Sequence, residues 1–149
     1  MPVILTIHSA QWEGADAPQA VELVTEGVLR REDGAAWSLR YQESEATGLE
    51  GTTTTIRVDD PTSVSLIRTG ATRMKLTFVE GRRHVTHMEM PFGILDVGVY
   101  TNAVQAGLTD RGGEVHLGYS VELGGRGSTH SRLDVAFRPA GRAGDASEA

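Results

Sequence analysis

Residues 41–56 read Tyr-Gln-Glu-Ser-Glu-Ala-Thr-Gly-Leu-Glu-Gly-Thr-Thr-Thr-Thr-Ile. An aromatic strand end, two glycines at turn spacing and a run of four threonines follow one another there. Glycine supplies the positive φ of a tight turn, and β-branched threonine favours an extended backbone. The stretch therefore predicts strand, turn, strand, with the threonines alternating between two faces: Thr53 and Thr55 on one, Thr52 and Thr54 on the other with Ile56 and Val58.

The same period of two runs through the rest of the chain. Val3, Leu5 and Ile7; Trp37, Leu39 and Tyr41; Val64 and Leu66; Met74, Leu76 and Phe78 each alternate with more polar neighbours. So do Val115, Leu117, Tyr119, Val121 and Leu123, and later Leu133, Val135 and Phe137. Turn signals separate the runs at Asp33-Gly34, Asp59-Asp60-Pro61, Gly70, Glu80-Gly81, Pro91, Gly112-Gly113 and Gly124-Gly125. Many short antiparallel strands with one apolar face must close or stack to bury it. Two segments carry helical signals: Asp16 to Val24 as a capped turn, and Thr101 to Thr109 as a short helix or a strand bulged at Gly107.

A chain of 149 residues fits one domain with its own core. The expected domain spans residues 1–138, and the small, polar, acidic segment 139–149 is read as a disordered tail. Without cysteine there is no disulfide framework, thiolate metal site or cysteine nucleophile, which fits a cytoplasmic protein. A net charge of −6 argues against nucleic acid as a partner. No apolar run reaches membrane-span length, and no signal peptide is visible.

The order Tyr41-x-Glu43, Gly48-x-Glu50-Gly51-Thr52-Thr53-Thr54, Leu66-Ile67-Arg68-x-Gly70 resembles the YwiB-like family of small bacterial proteins. The resemblance continues through Met74-x-Leu76-x-Phe78, Glu80-Gly81, Pro91-Phe92-Gly93 and Tyr119, covering residues 2 to about 138. It implies a calycin-like, lipocalin-like β-barrel with no established function. Where that family carries an aromatic and a threonine before Pro-Tyr-Gly, this chain has Met88-Glu89-Met90-Pro91-Phe92-Gly93 and lacks those hydroxyls. The fold expected is thus all-β: a single antiparallel calycin-like barrel of eight to ten strands.

Arg68 is the most telling residue. Its parity matches Val64 and Leu66, so the guanidinium points inward, and an unpaired buried charge is very costly. Parity also places Glu43 and Glu45 on the face of Trp37, Leu39 and Tyr41, making Glu43 the natural partner and Tyr41 a second hydrogen-bonding group. Two readings stay open. Arg68 either plugs one end of the barrel as an ion pair or recognises an anion in the lumen. The ligand-binding candidates are Arg68, Tyr41, Glu43, Thr54, Trp37 and Tyr119, although core packing also accounts for the aromatics.

No cofactor, metal or catalytic residue is expected. His84 and His87 fall on opposite faces of a strand, and the zinc-protease spacing is absent. Gly125-Arg126-Gly127-Ser128 lacks a nucleophile-elbow setting. The leading functional expectation is a non-enzymatic binder of a small polar or anionic molecule. The alternatives are an interaction module, forming a homodimer or docking another protein, and a hydrolase or isomerase using Glu43 or Glu45 as base.

Overall fold

The computed structural model describes residues 1–34, 36–45, 48–124 and 128–140. Ten strands follow in order: β1 (Pro2–Trp12), β2 (Gln19–Arg31), β3 (Trp37–Gln42), β4 (Thr52–Asp60) and β5 (Ser63–Gly70). The remainder are β6 (Met74–Val79), β7 (Arg83–Met90), β8 (Gly93–Thr109), β9 (Gly112–Leu123) and β10 (Ser128–Pro139). All pair antiparallel, in the order β6-β5-β4-β3-β2-β1-β10-β9-β8-β7. The chain thus runs up and down around a nearly closed barrel, the all-β antiparallel barrel of eight to ten strands that the resemblance implied.

The two edge strands meet where closure is needed. Arg73 and Glu89 form a bridge with reciprocal backbone bonds of 2.9 and 2.8 Å. At the far end, Gly81 N donates to Thr101 O at 2.8 Å. Among the described residues the edges are thus joined at the two ends of the β6–β7 seam and not by a continuous ladder.

Inward residues alternate with outward ones along each strand. Val3, Leu5, Leu39, Ile56, Leu66 and Phe78 are fully or almost fully buried members of one apolar cluster inside the barrel. Thr52 and Thr54 lie inward with Ile56 and Val58, as the parity of the threonine run predicts. Gly27 shows how crowded the wall is beside Tyr41: a Cβ there would stand 2.6 Å from Leu5 Cδ1 and 2.6 Å from Arg40 O. The glycine leaves that space to Leu5 and to its cross-strand partner Tyr41.

Three sequence expectations change. The segment Asp16–Val24 holds no helical turn from Gln19 onward, because β2 starts there and pairs with β1. Thr101–Thr109 is strand throughout, and its irregularity falls between Thr101 and Ala103 rather than at Gly107. Glu45 does not share a face with Glu43: β3 ends at Gln42, the chain leaves the sheet, and Glu45 is exposed. At the C-terminus, Pro139 pairs with Val3 and Ala140 N bonds Pro2 O at 3.1 Å, while 141–149 of the expected tail lie outside the described residues. Gly125-Arg126-Gly127 lies outside them too. No helix of the described residues is long and apolar enough to cross a membrane.

Candidate functional site

Antiparallel order brings the connections β1–β2, β3–β4, β5–β6, β7–β8 and β9–β10 to one mouth of the barrel. The β3–β4 connection carries the sequence's distinctive turn. Gly51, at φ +86°, presents its carbonyl to Ala71 N at 3.2 Å, and Gly70 (φ +110°) lies so close that a Cβ would be 2.4 Å from Gly51 O. Two left-handed glycines therefore seat one turn against the next. Glu43, just past β3, has its backbone N–H bonded to Thr52 O at 2.9 Å and its side chain turned inward, with 1% of that side chain exposed.

Thr54 Oγ1 donates to Glu43 Oε2 at 2.5 Å and accepts from Arg68 Nε at 3.4 Å. Arg68 Nε also stands 3.9 Å from Glu43 Oε2. Thr54 is the cross-strand partner of both Tyr41 and Arg68, so Tyr41, Thr54 and Arg68 form one row over three neighbouring strands. Burial raises the Tyr41 hydroxyl well above its usual pKa, and the neighbouring Glu43 charge adds to the effect. Tyr41 therefore stays protonated, and its hydroxyl bonds Glu43.

Beside this row, at the mouth of the barrel, the interior is not filled, whereas deeper positions are packed by the apolar cluster. A cavity of about 380 Å³ opens beside Arg68, Met74, Met88, Tyr119, Val121 and Ser131. Eight strands enclose a space that side chains just fill, and ten enclose more. Tyr119 rests on Phe78 with ring centroids 4.7 Å apart and 52° between planes. Burial raises its hydroxyl, opposed by the Arg68 charge and by a hydrogen bond with Ser131, its cross-strand partner. Among the described residues, the contacts that Arg68 makes with a hydrogen-bonding or charged side chain run through Nε. Arg68 itself lines the cavity, and its Nη groups carry further N–H donors.

The six candidates therefore divide. Arg68 and Tyr119 line the cavity. Tyr41, Glu43 and Thr54 form the buried network around Arg68 rather than the cavity wall. Trp37 sits at the opposite end of β3, beneath Arg31, whose guanidinium carbon is 5.4 Å from its ring centroid. Sequence reasoning did not single out Ser131, Met88 or Glu13. Ser131 shares the inward parity of Leu133 and Val135, and that was the available signal for it.

The histidines do not converge. His87 pairs with Asp96 at 2.8 Å on the outer face, and His116 lies between Asp134 and Glu114, each at 2.7 Å. His130 stacks on Trp12, centroids 5.7 Å apart. Among the described residues no group of three His, Cys, Asp or Glu is placed to hold a metal ion.

Comparison with known proteins agrees with this architecture. Residues 5–135 match the family described as "Domain of unknown function (DUF1934)". The chain is 24% identical over 123 residues to the uncharacterized β-barrel protein YwiB of Bacillus subtilis, covering 83% of each chain. The crystal structure of the ywiB protein from Bacillus subtilis superimposes with a TM-score of 0.81 at 22% identity, covering 93% of this chain and 92% of that one. With most of its length matched, the chain belongs to the DUF1934, YwiB-like family of β-barrel proteins.

Proposed function

We propose that this barrel is a non-enzymatic, cytoplasmic binder of a small molecule carrying one anionic group, used in the manner of a calycin or lipocalin. One observation carries the reading: Arg68 lines the unfilled mouth of the barrel, and its described partners are reached through Nε. A single arginine offers charge complementarity and a two-pronged fork to one carboxylate or phosphate. Met74, Leu76, Met88 and Val121 offer an apolar wall, and thioethers adapt to irregular shapes. The volume lies within the usual range for small-molecule pockets. The network behind Arg68 fixes the guanidinium, which lowers the entropy lost when an anion docks.

The test is thermal unfolding with octanoate against octanol at equal concentration. A ligand that binds the native state raises the transition in proportion to RT ln(1 + [L]/Kd). Octanoate should raise it and octanol should do so less. Arg68→Met should remove the difference. Met88→Trp, which fills the cavity and leaves the arginine network alone, should remove both effects. Octanoate without effect, or an effect untouched by both variants, would contradict the reading.

A second reading has its own observation. Phe92 in the β7–β8 turn, Ile94 at the start of β8 and Val85 on β7 are 78%, 68% and 63% exposed. Neighbouring exposed apolar side chains, as at Phe92 and Ile94, suit a protein interface. A sedimenting dimer that Phe92→Asp and Ile94→Asp dissociate would favour an interaction module.

A further inference from the structure

The lumen cavity does not end at Arg68. Gln11, Glu13 and Thr129 line it and also line a second cavity of about 330 Å³ at the β1–β2 connection, together with Trp12, Asp16 and Gln19. These shared residues place the second space beside the first, at the rim of the barrel. Its polarity is opposite to that of the interior. Thr129 Oγ1 donates to Glu13 Oε2 at 3.4 Å, tying the carboxylate to β10 at the rim, and Asp16 N bonds Glu13 O at 2.9 Å so that a second acid follows in the same turn.

A molecule with several negative charges meets a chain of net charge −6, two acids at the entrance and one arginine within. A molecule with one anionic group and no compensating charge gains at Arg68 and is opposed at Glu13. A molecule bearing an ammonium at the other end gains at both. The aliphatic and thioether wall between the poles suits an apolar spacer. Resting on the lumen-binding reading above, we infer that the ligand is a zwitterion: its anionic group meets Arg68, its ammonium meets Glu13, and an apolar segment spans Met74, Met88 and Val121.

The experiment is calorimetric titration of the full chain with ω-aminooctanoate, octanoate and octylamine, on the wild type, Glu13→Gln, Arg68→Met and Met88→Trp. The inference predicts that ω-aminooctanoate binds about two- to fivefold more tightly than octanoate, the value of one partly solvated ion pair. Glu13→Gln, on an exposed turn, should abolish that advantage and tighten octanoate binding, because it removes the opposing charge. Arg68→Met and Met88→Trp should weaken both carboxylates about tenfold or more. Equal affinity for the two carboxylates on the wild type, with octanoate still dependent on Arg68, would overturn the zwitterion and leave the anion-binding reading standing. Failure of both carboxylates to bind, or tightest binding by octylamine, would overturn both.

Discussion

Arg68 Nε and Glu43 Oε2 stand 3.9 Å apart, and the Thr54 hydroxyl joins them by accepting from the first at 3.4 Å and donating to the second at 2.5 Å. The arrangement uses one hydroxyl in both of its hydrogen-bonding roles. It holds the guanidinium through Nε at a residue that also lines the cavity. The buried ion pair and the proposed anion site therefore share one group, and the sequence-level choice between plug and recognition need not be exclusive.

Thr54→Val keeps the shape and removes the hydroxyl. A donor to the buried Glu43 carboxylate is lost, which should destabilise the fold by about 1–3 kcal/mol. Thr54→Ser should recover most of that. Urea unfolding compares the three, and a Val variant as stable as the wild type would mean that the hydroxyl bridge contributes nothing.

The Glu43 and Arg68 side chains should be energetically coupled. A double-mutant cycle of Glu43→Gln and Arg68→Met should give an interaction energy of about 0.5–3 kcal/mol, since they share Thr54 as well as charge. Additive effects in denaturant would dissociate the pair.

Gly27→Ala should lower stability by about 1–3 kcal/mol through overpacking, because the new methyl meets Leu5 and the Arg40 carbonyl at 2.6 Å. Leu5→Ala added to it relieves the side-chain clash and not the backbone one. The double variant should therefore destabilise by less than the sum of the two single changes, measured by thermal unfolding.

His116 is hydrogen-bonded to Asp134 and then to Glu114, and both raise its pKa above 6.5. A raised folded-state pKa favours the protonated form, so its contribution is complete below the unfolded value and fades as pH rises through the folded one. The imidazole is 40% exposed, so screening limits the effect to about 0.5 kcal/mol. NMR titration should place the His116 midpoint above 6.5, and stability measured from mildly acidic to mildly alkaline pH should fall more in the wild type than in His116→Gln. Coincident pH profiles would mean that the Asp134 and Glu114 contacts with His116 contribute nothing to stability.

Alternation made the fold and part of the site legible. The inward parity of Val64 and Leu66 extends to Arg68, and that of Leu39 and Tyr41 continues one residue past the strand end to Glu43. Parity fails at Glu45 because the backbone has by then left the pleat. It also specifies a face and not an end: Trp37 and Tyr41 share a face, yet four residues at about 3.3 Å each put roughly 13 Å between them. The cavity itself was not legible. Whether inward side chains fill a barrel depends on the number and tilt of strands, and those follow from the closure of β6 on β7 rather than from any local pattern. Glu13 enters the picture because β1 ends beside β10, a long-range pairing that no local signal announces.

Native mass spectrometry of the gently purified protein, compared with the denatured mass of the same sample and with Arg68→Met and Met88→Trp, tests the central claim most directly. The wild type should carry a reproducible excess mass of one small molecule, lost on denaturation and lost or strongly reduced in both variants. An excess mass retained by both variants would place the ligand elsewhere. A bare chain mass in the wild type, persisting after octanoate is added in excess, would contradict lumen binding.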